Sequence, residues 1–97
     1  MNVGIIGLGF VGLTLALRAT DGHKVLGVDS NSRVVKSLQS NRPHFYEPGL
    51  EDWLSHASSR KTFRADTQLQ KNWCDVVVIC VGTPINESGE IDTTGVR

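Results

Sequence analysis

The sequence predicts an α/β fold: a parallel sheet of about four strands, ordered 3-2-1-4, with helices on both faces. Three observations lead there. Residues 3–7, 24–28 and 75–81 are short apolar runs without strict alternation, as strands covered on both faces require. Stretches of helical spacing separate them, and strands alternating with helices imply right-handed parallel crossovers. Glycines crowd in directly after the first run, marking a tight strand-to-helix turn. The order 3-2-1-4 is the usual arrangement for such units.

The elements follow in turn. Residues 3–7 form the first strand. Val11, Leu13, Leu15, Ala16, Leu17 and Ala19 make a helix rich in strong helix formers, which Asp21-Gly22 ends. Residues 24–28 form the second strand, with Asp29 at its end. Asn31 or Ser32 caps the next helix, where Val34, Val35 and Leu38 share a face. Residues 41–46 are a loop around Pro43. Pro48 suits the first turn of another helix, with Glu47 before it and Glu51 and Asp52 behind, at the positive end of the dipole. Leu50, Trp53, Leu54 and Ala57 give that helix its apolar face. Residues 62–64 read as a brief strand and 67–72 as one or two helical turns. Val76, Val77, Val78 and Ile79 mark the clearest strand. Residues 82–89 form a loop broken by Pro84 and Gly89, and 90–97 begin a further helix.

Composition narrows the function classes. The 97 residues suffice for one small domain, and 39% apolar content with 10 glycines is ordinary for a globular chain. Ten basic residues balance ten acidic ones, which argues against a nucleic-acid or membrane-surface partner. Cys74 and Cys80 are too few for a disulfide scaffold, so a reduced, cytoplasmic setting is the simpler reading. Residues 4–17 are uncharged, but four glycines interrupt them, no basic segment precedes them, and they fall short of the roughly 20 residues a membrane span needs. His23, His44 and His56 lack metal-ligand spacing, so no metal is assigned.

Gly7-Leu8-Gly9-Phe10-Val11-Gly12 is a G-x-G-x-x-G between a strand and a helix, the context in which that pattern carries weight. Gly7 permits the turn, Gly9 lets a pyrophosphate approach the backbone, and Gly12 lets the helix pack on the strand. Asp29 follows 22 residues after Gly7. A carboxylate there accepts hydrogen bonds from the adenosine ribose and repels a 2′-phosphate, which favours NAD over NADP. Packing glycines and a turn-forming Asp29 are the plainer alternative. The fold expected is therefore a Rossmann-like, incomplete doubly wound one.

Four stretches sharpen this: Gly4-Ile-Ile-Gly-Leu-Gly-Phe-Val-Gly12, Gly27-Val-Asp-Ser-Asn31, Tyr46-Glu-Pro-Gly-Leu-Glu51 and Ile79-Cys-Val-Gly-Thr-Pro84. In order and spacing the chain resembles the N-terminal part of the UDP-glucose/GDP-mannose dehydrogenase family. The resemblance implies NAD-dependent oxidation of the C6 alcohol of a nucleotide sugar to a uronate, through a thiohemiacetal and a thioester on a catalytic cysteine. It implies NAD contacts at Gly7, Gly9, Phe10, Val11, Gly12, Asp29 and Thr83. The family's basic residue five positions after the ribose Asp is replaced here by Val34. Arg33, one position earlier and about 100° away around a helix, is the candidate substitute. Thr83 has a Thr-Pro turn as its alternative, and Glu47 faces either the cleft or the start of a helix.

Cys80 reads as a buried strand thiol, not as the catalytic cysteine, and no catalytic residue is assigned within the 97. Residues 1–97 are thus expected to be the first part of a dinucleotide-binding domain, a fragment that lacks the nucleotide-sugar domains and is inactive alone. The full-length enzyme is expected to be a homo-oligomer. A stand-alone NAD-binding module is the alternative from another class. A 6-phosphogluconate or 3-hydroxyacyl-CoA type dehydrogenase is a third reading, opposed by Glu47-Pro48-Gly49-Leu50 and Gly82-Thr83-Pro84.

Overall fold

The structure, a computed structural model, describes residues 1–80. Its elements are β1 (Asn2–Ile6), α1 (Phe10–Ala19), β2 (Lys24–Val28), α2 (Ser32–Gln39), α3 (Leu50–Ser59), β3 (Phe63–Asp66) and β4 (Val76–Ile79). The expected loop at 82–89, with Thr83, and the helix from residue 90 lie outside the described residues.

The four strands form one parallel sheet in the order β3-β2-β1-β4, as expected. Registered residues of parallel strands share a face, so Val3, Ile5, Val25, Phe63 and Ala65 point the same way. They form one buried cluster with Leu13, Ala16 and Leu17 of α1, Val35 and Leu38 of α2, and Leu50, Leu54 and Ala57 of α3. Among the described residues all three helices therefore lie on one face, where helices on both were expected. The reason is geometric. The crossovers from β1 to β2 and from β2 to β3 step in the same direction, and right-handedness then puts their helices on the same side.

The other face carries the connection from β3 to β4, and here the expected helical turns at 67–72 are absent. Asp66 Oδ1 accepts from the Thr67 and Gln68 amides at 2.6 and 3.3 Å, and a turn closes from Trp73 N–H to the Gln70 carbonyl at 3.1 Å. Reach explains the change. The chain must cross three strand spacings, about 14 Å, while returning a strand length of about 13 Å. Six helical residues would advance only about 9 Å. This connection lies flat on β1. A methyl group built on Gly4 would come within 2.9 Å of Cys74 Sγ and 3.1 Å of Leu69 Cδ1.

Two smaller expectations change as well. The helix containing Leu50 starts there, not at Pro48. The Leu50 amide donates to the Glu47 carbonyl at 3.1 Å, and Gly49 has φ +83° and ψ −11°. Pro at the second position and a left-handed glycine at the third define a type II turn, so Pro48 bends the chain into the helix instead of opening it. Trp53, expected in the core, is 36% exposed. Leu50, Leu54 and Ala57 hold the buried stripe, and Trp53 stands at its margin.

Candidate cofactor site

The site grows out of the end of β1. Gly7 leaves the strand with φ +93°, a conformation that other residues adopt only at a cost, and its amide donates to the Val28 carbonyl at 2.7 Å. Leu8 turns its side chain inward and is fully buried. Gly9 is the N-cap of α1, where no side chain caps the helix and no acidic residue stands in the first turn. The other helix starts differ: Asn31 caps α2 by accepting from the Arg33 amide at 3.0 Å, and Glu51 and Asp52 stand in the first turn of α3.

The first intrahelical bond of α1 runs from Leu13 N–H to the Gly9 carbonyl at 2.9 Å. The amides of Phe10, Val11 and Gly12 precede it and have no intrahelical acceptor, as at any helix start. Aligned peptide dipoles add partial positive charge there, and together these features favour an anion.

The glycines divide their work. A methyl group on Gly12 would collide with the Gly7 carbonyl oxygen and sit 3.3 Å from Cys80 Cβ, so Gly12 is needed for packing. A methyl group on Gly9 would meet nothing within 4 Å among the described residues. Among the described residues, packing does not require glycine at position 9, and the space beside it is open to a ligand approaching the backbone.

Asp29 stands just past β2, half-buried. Its Oδ2 accepts from the Leu8 amide and its Oδ1 from the Asn31 amide, both at 2.9 Å. The carboxylate thus ties the glycine loop to the start of α2, and each oxygen retains capacity for a further bond. Asp29 therefore holds the turn, and its spare acceptor capacity is compatible with the expected ribose contact.

These parts converge on a cleft of about 400 Å³ lined by Ile6, Gly7, Gly9, Val28, Asp29, Ser30, Thr67 and Cys80. It lies at the carboxyl ends of the strands, where the chain order reverses between β1 and β4, the usual place for a ligand in an open parallel sheet. Ser30 and Thr67 were not singled out in the sequence. Thr67 follows the third strand directly, so the same rule could have found it. Cys80 also differs from expectation. It is half-buried and borders the cleft, because β4 is an edge strand among the described residues, with Val76 and Val77 each 41% exposed and Ile79 67% exposed.

Phe10 and Val11 are 54% and 68% exposed. Phe10 does not line the cleft. It packs on Phe45 with ring centroids 5.4 Å apart and borders a groove shared with Arg18, Glu47 and Trp53. Glu47 is exposed on that groove and does not reach the cleft. Arg33 is exposed in the first turn of α2, whereas Val34 is partly buried against the core. Among the described residues, no group of three or more His, Cys, Asp or Glu gathers as a metal site would require.

Residues 1–97 match the family model for the UDP-glucose/GDP-mannose dehydrogenase family, NAD binding domain. The chain belongs to this family. It is 35% identical over 95 residues to a GDP-mannose 6-dehydrogenase of Pseudomonas aeruginosa, covering 95% of this chain and 22% of that protein. A putative UDP-glucose 6-dehydrogenase of Bacillus subtilis is 33% identical over 98 residues, covering 100% and 23%. The crystal structure of a GDP-mannose dehydrogenase ternary complex from Pseudomonas aeruginosa superposes with a TM-score of 0.87 at 33% identity, over 99% of this chain and 23% of that one. A UDP-glucose dehydrogenase from Pyrobaculum islandicum gives 0.82 at 35% identity, over 96% and 22%. The chain thus spans between a fifth and a quarter of the length of these relatives.

The cofactor of this family's domain is NAD, and the residues present fit it. The uncapped start of α1 suits a pyrophosphate, the space beside Gly9 admits it, and Asp29 offers acceptors to a ribose diol. No described helix is long and apolar enough to cross a membrane.

Proposed function

We propose that this chain is the cofactor-binding part of an NAD-dependent nucleotide-sugar 6-dehydrogenase, which oxidises a C6 alcohol to the carboxylate. One observation carries the reading. A helix start without cap or acid, a glycine that packing does not require, and a ribose-type carboxylate border a single cleft. Bound NAD would supply the hydride acceptor.

The chain's own residues bind and orient. Gly7 and Gly9 bring the backbone to the pyrophosphate, and the amides of Phe10, Val11 and Gly12 donate to it. Asp29 accepts from the adenosine ribose hydroxyls and disfavours a 2′-phosphate. Arg33, on the solvent side of α2, supplies positive charge near the adenosine end in place of the family's basic residue, whose position Val34 holds. Thr83 is assigned to the cleft from the Val-Gly-Thr-Pro stretch of the sequence. A cytoplasmic location and a homo-oligomeric full-length enzyme complete the proposal.

The catalytic cysteine and the sugar-binding groups are assigned to segments outside these 97 residues. Absorbance of reduced NAD, followed with UDP-glucose or GDP-mannose and purified chain, is expected to stay flat. Turnover would overturn that assignment.

A further inference from the structure

The end of β2 grips the glycine loop at three consecutive residues. The Val28 carbonyl accepts from Gly7 N–H at 2.7 Å, and Asp29 Oδ2 accepts from Leu8 N–H at 2.9 Å. The third contact is apolar. Gly27 lies under the Leu8 side chain, and a methyl group built on it would stand 2.9 and 3.0 Å from Leu8 Cδ2 and Cδ1. Phe63 Cε1 would lie 3.0 Å from the same methyl.

Leu8 is 0% exposed and Phe63 5%, so each is enclosed by other groups and yields only by displacing them. Closely packed interiors transmit such displacements to the backbone. The backbone in question is the loop itself, since Leu8 sits between Gly7 and Gly9. Gly27 does not line the cleft, and the nearest group its methyl would press on is the Leu8 side chain, which belongs to the glycine loop.

We propose that Gly27 is a positioning residue for the cofactor: its missing side chain forms the socket for Leu8, and the seated Leu8 fixes the backbone amides that face the pyrophosphate. This rests on the NAD-binding reading of the loop. A displaced loop loses length and angle on several amide bonds to charged oxygens together, and hydrogen bonds of that kind depend steeply on geometry.

Calorimetric titration of the 97-residue chain with NAD tests it, using wild type, Gly27→Ala, Leu8→Val and the double variant. Gly27→Ala is expected to raise the NAD Kd about ten-fold or more. Leu8→Val shortens the side chain by one carbon, so the double variant conserves volume and is expected to recover most of the affinity. A folded Gly27→Ala chain with wild-type affinity, or a double variant no better than Gly27→Ala, would overturn the assignment. Should Gly27→Ala not fold, Leu8→Val alone decides: several-fold weaker binding supports the socket, and unchanged binding removes it. Failure of the wild type to bind NAD would instead remove the reading on which the inference rests.

Discussion

Replacing Asp29 with alanine removes two kinds of interaction at once, and the structure allows each to be sized. The first is internal. The Leu8 amide loses its acceptor in a fully buried residue, and an unsatisfied buried donor costs about 1–3 kcal/mol. The Asn31 amide loses its acceptor too, but Asn31 is exposed and water replaces the carboxylate there. A loss near 2 kcal/mol lowers the melting temperature of a domain this small by roughly 8–16 °C. The second is the ligand's. Hydrogen bonds to a charged group are worth about 1.5–3 kcal/mol each, so losing the ribose diol weakens NAD by about a hundred-fold or more. Discrimination against NADP shrinks with it. Asp29→Asn tests the internal role while keeping a side chain of the same size. An amide offers one oxygen, so its NH₂ must face either the Leu8 or the Asn31 N–H, and asparagine is expected to lose stability as well. Differential scanning calorimetry and NAD titration on the same samples read both effects. A melting temperature within 2 °C of wild type for Asp29→Ala, on the scale of about 4–8 °C per kcal/mol, would refute the internal role. Unchanged affinity for NAD and NADP in a folded chain would refute the ribose role.

Other expectations follow from single contacts. Gly9→Val is expected to leave the fold intact, because a Cβ there meets nothing within 4 Å among the described residues, while abolishing NAD binding in calorimetry; wild-type affinity would remove Gly9 from the site. Gly49→Ala places a methyl group on a residue at φ +83° and is expected to cost roughly 1–2 kcal/mol in urea unfolding, with NAD affinity of the folded chain unchanged.

Much of this was legible in the sequence because it is local. The strand, three glycines and helix start lie within one short stretch, and Asp29 is placed by the end of the next strand. The sheet order followed from the alternating elements together with the arrangement usual for such units. What escaped depends on groups far apart in the chain. Leu8 and Gly27 are separated by 19 residues, and no local pattern shows that one fills the space left by the other. The amide contacts of Asp29 were hidden for the same reason. The connection at 67–72 was misread because its shape is set by the distance between β3 and β4, not by its own residues. Pro48 is a different case. Its neighbour Gly49 carried a signal for a type II turn, and the acidic residues behind it drew the reading towards the helix dipole instead. Trp53 failed on a narrower margin, since spacing from Leu50 puts it at the border of the buried stripe, where spacing alone cannot decide.

NAD binding is assigned to the loop from Gly7 to Gly12 together with Asp29. Nitrogen-proton NMR spectra of the labelled 97-residue chain, recorded during NAD titration, test it most directly. The expected result is saturable shifts concentrated at the amides of Gly7, Leu8, Gly9, Phe10, Val11, Gly12 and Asp29, with weaker response to NADP. Shifts confined to other surfaces, or a folded chain whose loop amides do not respond to NAD, would contradict it.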